Sequence, residues 1–357
     1  MNYCRRITDL RKKMNENNLD AFFLCNMKNI RYFSGFCGSF ALALVTERES
    51  FLLTDSRYLE QAKKETQGFI IRLVAQNAIE KLLELLNMHN DIARIAYEGE
   101  TLLFRDYLRI KERYGGELID GGHLIFSLRS IKDDQEIAYI RKAAEIASEG
   151  FNYILNRIKP GITEKKLALD LEFYMKGIGA ESLSFETILA SGWRSALPHG
   201  IASDKVLEKG DLITFDFGCT FRGYCSDMTR TVIIGRPNKK QKLIYDVVQV
   251  AQRMGREVLM AGKTGKEVDF ACREYIADCG FKEYFQHGTG HGVGLDVHEK
   301  PIINPASDNI LEKNQIVTIE PGIYIAGFGG VRIEDLLLIG SEGAENLISA
   351  SHNLIII

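Results

Sequence analysis

The sequence predicts two structural regions, an α/β region at the N-terminus followed by an α+β region with an internal duplication. The chain has 357 residues, which is more than one hydrophobic core usually serves. Its first third alternates short apolar runs with helical stretches, a pattern typical of an α/β layer structure. The remainder contains two helix pairs, each followed by β-like sequence. A boundary near Gly121–Ser130 gives expected domains at 1–128 and 129–357.

The N-terminal region contains five predicted strands and four predicted helices. The strands are Ala21–Cys25, Phe40–Val45, Ser50–Thr54, Ile70–Val74 and Ile92–Tyr97. The helices are Tyr3–Asn17, Arg57–Glu65, Ala78–Met88 and Leu102–Tyr114. Asp55, Arg57 and Tyr58 form the most distinctive polar cluster, which we interpret as a solvated loop that leads into a helix. The pattern therefore predicts a fold for this region and no catalytic site.

Two helix pairs with matching end signals indicate the duplication. Asp133 and Glu136 have the spacing of a capping box, and an apolar stripe continues from there to Ile158. The other predicted helices are Thr163–Lys176, Asn238–Met260 and Thr264–Cys279. The Gly-Xaa-Thr segments inside the two pairs lie 101 residues apart, and the glycines that end the pairs lie 103 residues apart. We therefore expect a duplicated helix–helix–sheet unit.

Composition excludes several classes of protein. The chain has 45 Lys and Arg against 48 Asp and Glu, a formal net charge of −3, which argues against a nucleic-acid coating protein. We find no apolar run near the ~20 residues that span a bilayer, so no membrane partner is expected. The seven cysteines include no CxxC pair, which favours reduced thiols, and Met1–Lys13 lacks an apolar signal-peptide core. We expect a soluble cytoplasmic protein.

Four acidic residues lie on two hairpin-like segments. Asp216 and Asp227 flank a predicted turn near 221–224, and Glu320 and Glu334 flank one near 327–330. Most of the residues adjacent to these acids are apolar, so strand alternation places the acids together on the opposite face. Because each pair is symmetric about its turn, antiparallel pairing predicts that its two carboxylates are close.

A buried set of four carboxylates requires compensating charge. An unpaired buried carboxylate costs several kcal/mol. Two divalent cations about 3.5–4 Å apart would neutralise the set. Oxygen-rich ligation favours Mn²⁺, and an added imidazole also suits Co²⁺, Fe²⁺ or Zn²⁺.

Histidines are concentrated around the same part of the sequence. The chain has seven histidines, and His199, His287, His291 and His298 all lie between 199 and 298. His287 and His291 have the i, i+4 spacing of a helical zinc motif, but the glycines between them disfavour a helix. We therefore predict an extended or looped segment that brings imidazole groups to the carboxylates.

These segments together resemble the pita-bread metallopeptidase family, and within it the proline-specific Xaa-Pro aminopeptidases and Xaa-Pro dipeptidases (prolidases). The resemblance covers essentially the whole chain. Its most specific pieces are Phe215-Asp216-Phe217-Gly218, 226–231, 287–299, Ile319-Glu320-Pro321-Gly322 and 331–335. It implies a creatinase/prolidase-like N-terminal domain and a pita-bread, creatinase/aminopeptidase-like catalytic domain. The implied metal ligands are Asp216, Asp227, His291, Glu320 and Glu334.

The resemblance also implies roles for these residues. Asp216 would bind one metal ion, His291 and Glu320 the other, and Asp227 and Glu334 both. A hydroxide held between the ions would attack the carbonyl before proline, with Glu320 as proton shuttle. The remaining implied roles are substrate and oxyanion hydrogen bonds from His199 and His298, a substrate-entrance role for His287, and orientation of carboxylate ligands by Arg332. The expected partners are small peptides with proline at the second position and a second copy of the chain in a homodimer.

Several alternatives remain open at this point. The first is a creatinase-like C–N hydrolase that works without metal, although such relatives have lost ligand positions. The others are a methionine aminopeptidase and a binding protein that retains the fold without activity. Within the proline-specific group, the sequence does not decide between aminopeptidase and strict dipeptidase. Lys300 is a candidate for holding a substrate carboxylate or is simply a surface charge.

Overall fold

The computed structural model describes residues 1–75, 77–89 and 92–357, which form two compact units. The first unit is Met1–Arg129 and the second is Ser130–Ile357. Among the described residues, every helix is either too short or too polar to cross a bilayer.

The first unit is a six-stranded mixed sheet with the strand order β4-β3-β2-β1-β5-β6. The strands are β1 Ala21–Leu24, β2 Leu42–Thr46, β3 Ser50–Thr54, β4 Ile70–Leu73, β5 Arg94–Tyr97 and β6 Glu117–Asp120. The helices are α1 Tyr3–Glu16, α2 Met27–Ser34, α3 Leu59–Glu65, α4 Ala78–Met88, α5 Phe104–Arg113 and α6 Gly122–Ser130, the last of which ends one residue beyond the unit. Buried Phe23, Leu44 and Leu82 belong to one hydrophobic cluster between the sheet and its helices.

All nine elements predicted for this unit are present, with ends shifted by at most two residues. Three further elements, α2, β6 and α6, were not predicted. β6 lies at the edge of the sheet and pairs only with β5 among the described residues. Its terminal residues Glu117 and Asp120 are exposed, so β6 lacks the apolar run that identifies a buried strand.

The second unit contains four long helices and thirteen strands among its described residues. The helices are α7 Asp134–Leu155, α8 Glu164–Gly177, α9 Lys239–Val258 and α10 Gly265–Asp278. The first strands are β7 Ser182–Leu183, β8 Ile188–Ser191, β9 Leu212–Phe217, β10 Cys219–Phe221, β11 Tyr224–Cys225 and β12 Met228–Ile233. The others are β13 Gly290–Gly292, β14 Glu299–Ile303, β15 Ile316–Ile319, β16 Gly322–Ile325, β17 Gly329–Arg332, β18 Asp335–Ile339 and β19 Ala344–Asn346. α7 ends three residues before the predicted Ile158, because the chain turns where the Arg157 N–H bonds the Ile154 carbonyl.

The helices α7 and α9 have the same local features at equivalent positions. α7 and α9 both begin with a capping box, at Asp133 and at Asn238. A glycine follows seventeen residues after each cap, and a Cβ there would lie 2.8 Å from Met175 Cγ at Gly150 and 2.4 Å from Cys272 Sγ at Gly255. Each glycine therefore allows the next helix to approach closely.

The turns that precede α8 and α10 repeat as well. The Gly161 N–H bonds the Leu207 carbonyl, and the Gly262 N–H bonds the Leu311 carbonyl. The N-cap Thr163 makes an isolated bridge with Val206, and the N-cap Thr264 makes one with Ile310. These matched hydrogen bonds support the duplicated helix–helix–sheet unit.

The acidic residues lie in or next to strands of the two halves of the second unit, the first half running from α7 to β12 and the second from α9 to β19. β8, β9 and β12 form one sheet, and β13, β15 and β18 form the middle of another. An isolated bridge between Thr229 and Glu334 joins the segments that carry the two acid pairs. The helices α9 and α10 cover one side of this arrangement, where buried Ile244, Ile276 and Ile333 share a hydrophobic cluster.

The predicted register of the first hairpin is wrong by a small shift. Asp216 pairs with Thr229 rather than lying opposite Asp227. The two acids are therefore diagonal neighbours on one face, since Asp227 and Thr229 are two residues apart. The second hairpin keeps the predicted symmetry. Its pairs run from Ile316 with Leu338 to Gly322 with Arg332, and Glu320 and Glu334 face each other between β15–β18 and β16–β17.

Candidate metal centre

All nine site residues predicted from the sequence line one cavity of about 960 Å³ in the second unit. Five of them are the expected metal ligands, and four are the expected substrate-facing or orienting residues. The nine are Asp216, Asp227, His291, Glu320, Glu334, His199, His287, His298 and Arg332. Apolar side chains complete much of the wall, including Phe185, Ile188 and Ile302.

Three of the five expected ligands converge closely. Asp227, His291 and Glu334 each offer one donor atom, and the three atoms all lie within 4.8 Å of one another. Glu320 joins them, because its Oε1 lies 3.2 Å from His291 Nε2. Asp216 lies on the neighbouring strand β9. The site therefore combines carboxylate oxygens with one imidazole nitrogen, the donor set expected for a divalent transition metal.

The orientation of the His291 ring suits a metal ligand. Its Nδ1 lies 3.1 Å from the Gly292 carbonyl, which is the geometry of an N–H donor to that oxygen. The other ring nitrogen, Nε2, then faces Glu320 and Asp227, where it could bind a metal ion in its deprotonated form. The extended conformation expected for this segment is present as β13. Gly290 is required there, since a Cβ would lie 2.0 Å from the Thr318 carbonyl oxygen.

The carboxylates lie in an environment that disfavours their negative charge, and a cation would compensate for it. Oδ1 of Asp216 and Oδ1 of Asp227 are buried and have no hydrogen-bond partner within the described residues. Burial, together with the charge of nearby carboxylates, raises the pKa of Asp227 and of Glu334 well above their usual values. Two unpartnered buried oxygens beside acids that disfavour ionisation fit a centre that binds divalent cations.

Glu320 and His291 lie close enough to shift the pKa of each other. Burial opposes the charged carboxylate, but the hydrogen bond and charge of His291 outweigh it and lower the pKa of Glu320 to about 2. Burial likewise opposes the charged imidazole, but Glu320 raises the pKa of His291. A metal ion at this position would compete with the proton whose binding to His291 the Glu320 carboxylate favours.

Arg332 contacts the acidic cluster directly. Its Nη2 donates to Asp216 Oδ2, and its Nε donates to Thr229 Oγ1 at 3.0 Å. The Thr229 hydroxyl in turn donates to Glu334 Oε2 at 2.6 Å. Burial raises the pKa of Asp216, and the charge of Arg332 opposes that rise. The guanidinium therefore orients one expected ligand directly and another through a hydroxyl.

The other histidines lie around the cavity at different depths. The His298 ring packs against the His291 ring with centroids 4.2 Å apart, and His199 is exposed on the cavity wall. His287 is half-buried, and its Nε2 lies 2.9 Å from the Tyr324 hydroxyl. Burial lowers the pKa of His287 and of His298, which favours their neutral forms.

Three residues of the site were missed by the sequence analysis. Thr229 links Arg332 to Glu334, and the Thr318 hydroxyl accepts from the His291 N–H and donates to Glu320 Oε1 at 3.1 Å. Tyr324 accepts a hydrogen bond from Arg332 Nη1 at 2.9 Å, and burial raises its pKa to about 12. Strand alternation could have identified Thr229 and Thr318, since each lies two residues from an acid of the site.

Comparison with known proteins identifies the family. Metallopeptidase family M24 matches residues 138–341, and the creatinase/prolidase N-terminal domain matches residues 6–131. Among solved structures, an Xaa-Pro dipeptidase from Bacillus anthracis is 43% identical with a TM-score of 0.97 and full coverage of both chains. An X-Pro aminopeptidase from Thermotoga maritima MSB8 is 41% identical with a TM-score of 0.88, covering 95% of this chain and 98% of that one. An Xaa-Pro dipeptidase from Pyrococcus furiosus is 39% identical over 98% of this chain and 99% of its own length.

These findings confirm the fold class and the family expected from the sequence motifs. The M24 match covers more than half of the chain, and the relatives match it nearly end to end. The family is one of hydrolytic enzymes that use divalent metal ions, and the cavity holds donors that fit such ions. The chain belongs to metallopeptidase family M24 and carries a creatinase/prolidase N-terminal domain ahead of its metallopeptidase domain.

Proposed function

We propose that this protein is an exopeptidase that hydrolyses the Xaa–Pro bond at the N-terminus of short peptides. The observation that carries the proposal is the convergence of Asp227, His291 and Glu334, with Glu320 beside them, in a cavity that also holds unpartnered carboxylate oxygens. Full-length similarity to proteins named as Xaa-Pro dipeptidases and X-Pro aminopeptidases supports the choice of substrate.

Five residues would hold two divalent metal ions: Asp216, Asp227, His291, Glu320 and Glu334. Asp227 and Glu334 would contact both ions. Mn²⁺ is the proposed metal because four of the five donors are carboxylates, and Co²⁺, Fe²⁺ and Zn²⁺ also suit the donor set. When bound, the ions supply positive charge that polarises a carbonyl and lowers the pKa of water. The intact ligand set argues against a metal-free, creatinase-like reaction.

The side chains around these ligands would bind the peptide and move its protons. Glu320 would accept a proton from the attacking water and return it to the proline nitrogen as the bond breaks. His199 and His298, on the cavity wall, would donate hydrogen bonds to the substrate and to the oxygen that becomes negative. His287 would line the entrance, held by its contact with Tyr324. Arg332 would keep Asp216 in position throughout.

A paired substrate assay tests the proposal and separates its two versions. The purified protein, freed of metal and then supplied with Mn²⁺, is assayed on Ala-Pro and on Ala-Pro-Ala. Turnover that requires the metal is expected, and cleavage of Ala-Pro-Ala would assign an aminopeptidase rather than a strict dipeptidase. Full activity after exhaustive metal removal, or cleavage of Met-Ala with no cleavage of either proline peptide, would overturn the proposal.

The proposal also assigns the roles of the two domains, the oligomeric state and the location of the protein. Domain 129–357 would be the catalytic domain, and domain 1–128 would help to form a homodimer. The exposed Phe104 and Leu108 of α5 support an interface on the first unit. A cytoplasmic location is proposed because all seven cysteines are free thiols. Light scattering of the purified protein tests the dimer, since a monomeric mass at micromolar concentration would contradict it.

A further inference from the structure

One wall of the cavity is a surface segment that runs from Ser191 to Ser203, which we call the His199 segment. It begins at the end of β8, forms a 3₁₀ helix at Gly192–Ala196 and then presents Pro198 and His199 to the cavity. His199 itself is exposed, so its position depends on how the backbone of the segment is held.

A single buried carboxylate holds both ends of this segment. Glu164, the first residue of α8, is 0% exposed. Its Oε1 accepts the Ser191 N–H and hydroxyl, both at 2.7 Å. Its Oε2 accepts the Ser203 N–H at 3.0 Å and the Ser203 hydroxyl at 2.7 Å. The carboxylate therefore joins the two ends of the segment across the loop that carries His199.

Arg194 adds a brace inside the segment. Its Nη1 pairs with Glu164 Oε2, and its Nη2 donates to the Ile201 carbonyl at 2.9 Å. The guanidinium thus connects the 3₁₀ helix, the buried carboxylate and the backbone two residues beyond His199. Neither Glu164 nor Arg194 lines the cavity, so any effect they have on a substrate passes through the segment.

The other half of the unit shows that the helix itself does not require this acid. The Glu164 N–H bonds the Lys205 carbonyl at the start of α8, and the Gly265 N–H bonds the Asn309 carbonyl at the start of α10. A Cβ at Gly265 would lie 2.6 Å from the Ile302 carbonyl oxygen, so that helix begins without any side chain at this position. The same backbone arrangement forms with and without a carboxylate.

We propose that Glu164 and Arg194 are positioning residues that set the place of His199 and thereby determine how firmly the peptide is held in the transition state. This inference rests on the proposed function. The Gly330 N–H donates to Ser195 Oγ at 2.9 Å and Arg332 Nη1 donates to the Pro198 carbonyl at 3.3 Å, so the second hairpin holds the middle of the segment while Glu164 and Arg194 hold its ends. A charged, buried acceptor such as Glu164 makes stronger hydrogen bonds than a neutral or exposed one. A small displacement of a hydrogen-bond donor is enough to lower the rate substantially.

The first experiment needs no catalytic activity. Trp193 is the only tryptophan of the chain, lies inside the His199 segment and is 56% exposed, so its fluorescence reports on that segment alone. Glu164→Gln should increase the quenching of Trp193 by acrylamide. The matched control is Asp269→Asn. Asp269 is a buried carboxylate that pairs with Arg273 and holds Thr289, beside His287. Its replacement should leave Trp193 quenching unchanged.

The second experiment is a double-mutant cycle with Ala-Pro as substrate. Glu164→Gln should lower kcat/KM roughly 10- to 100-fold in the wild-type background. In the His199→Ala background its further effect should be less than about twofold, because both changes remove the same contribution. Asp269→Asn should instead lower kcat/KM by the same factor in both backgrounds. Arg194→Lys, which keeps the charge but not the fork, should show a smaller loss of the same kind.

The outcomes separate the two proposals. Unchanged Trp193 quenching in Glu164→Gln, or effects of Glu164→Gln and His199→Ala that multiply fully, would overturn the positioning role. A wild-type protein that does not cleave Xaa–Pro bonds would overturn the proposed function. The quenching result would still test whether Glu164 and Arg194 hold the His199 segment. Should Glu164→Gln fail to fold by circular dichroism, Arg194→Lys decides by the same two criteria.

Discussion

The two halves of the second unit share a helical scaffold and differ in the side chains that their strands present. Both begin with a capping box, use a glycine where the helices approach and enter their second helix through the same backbone bonds. β8 of the first half is buried and contributes no ligand, whereas β13 of the second half carries His291. The first hairpin supplies two aspartates and the second supplies two glutamates.

This difference separates the residues that form the fold from those that perform the chemistry. Positions that cap or pack the helices are equivalent in both halves, so a duplicated sequence would retain them. The proposed metal ligands lie instead in strands or between them, where Asp227, Glu320 and Glu334 interrupt regular pairing. The one proposed nitrogen donor comes from the second half, which makes the centre asymmetric. Substitutions should therefore divide into two groups. The first lowers metal binding and activity, and the second lowers the free energy of unfolding to a similar extent in either half.

The largest expected effect follows from Asp227→Asn, which removes one carboxylate charge from the centre. At metal sites, loss of a residue that hydrogen-bonds to a ligand lowers metal affinity or activity about 10- to 100-fold. Loss of a proposed ligand to both metals should therefore lower kcat by more than about 100-fold. Metal content by elemental analysis should fall in parallel. The control is Asp204→Asn, an exposed acid that pairs with Lys165 outside the cavity lining, which should retain activity and metal. A near-native rate for Asp227→Asn would contradict the ligand assignment.

A smaller effect is expected for Arg332→Lys, which tests how the first hairpin is held against the second. Lysine keeps the positive charge but cannot contact Asp216, Thr229 and Tyr324 together. We expect kcat/KM to fall about 10- to 100-fold with a folded protein and both metals still bound at saturating Mn²⁺. If steady-state kinetics show wild-type values, Arg332 is a structural ion-pair partner only.

The helix contacts should respond in stability rather than in catalysis. Gly255→Ala and Gly150→Ala each add a methyl group into a contact of 2.4 Å or 2.8 Å with the neighbouring helix. Overpacking of this kind destabilises by about 1–3 kcal/mol, which exceeds the gain of up to about 1 kcal/mol from helix propensity. Chemical denaturation measures the free energy of unfolding. A stabilised Gly255→Ala would show that the helices do not need this approach.

The smallest expected effect is at the helix caps. Asn238→Ala and Asp133→Ala each remove the side chain that accepts the N–H of the third residue of a long helix. Each change should lower the free energy of unfolding by about 0.5–2 kcal/mol. The two values should be similar if the halves are equivalent at this level, and thermal unfolding compares them directly. A negligible loss in one half would show that its cap is replaced by tertiary contacts.

The sequence was sufficient to predict most of the elements of the first unit and to select nine side chains that line one cavity. Alternation around Asp216 and Glu320 placed both acids on a shared face, and the symmetry of Glu320 and Glu334 about their turn matched the observed register. The first hairpin differed because its tight turn is Arg222-Gly223, with φ of 51° and 77°. A turn of this type fixes the register, and arginine at φ > 0 is an uncommon turn signal.

Other features depend on contacts that the sequence does not display. Alternation places Thr229 on the face of Asp227, but its contact with Glu334 forms only because two hairpins from separate halves meet there. Tyr324 contacts His287 and Arg332 across the cavity, and nothing in the local pattern around Tyr324 distinguishes it from a strand residue that packs in the core. In the sequence, Glu164 is indistinguishable from an ordinary acid in the first turn of a helix. Its importance becomes visible once Ser191 and Ser203 are seen to meet on it.

We propose above that the acidic residues of the two hairpins and His291 together hold two divalent cations. The most direct measurement is anomalous diffraction from crystals grown with Mn²⁺, recorded at the manganese absorption edge. We expect two neighbouring anomalous peaks, both in contact with Asp227 and Glu334. A single peak elsewhere on the molecule, or Asp227 and Glu334 without a peak at saturating Mn²⁺, would contradict it.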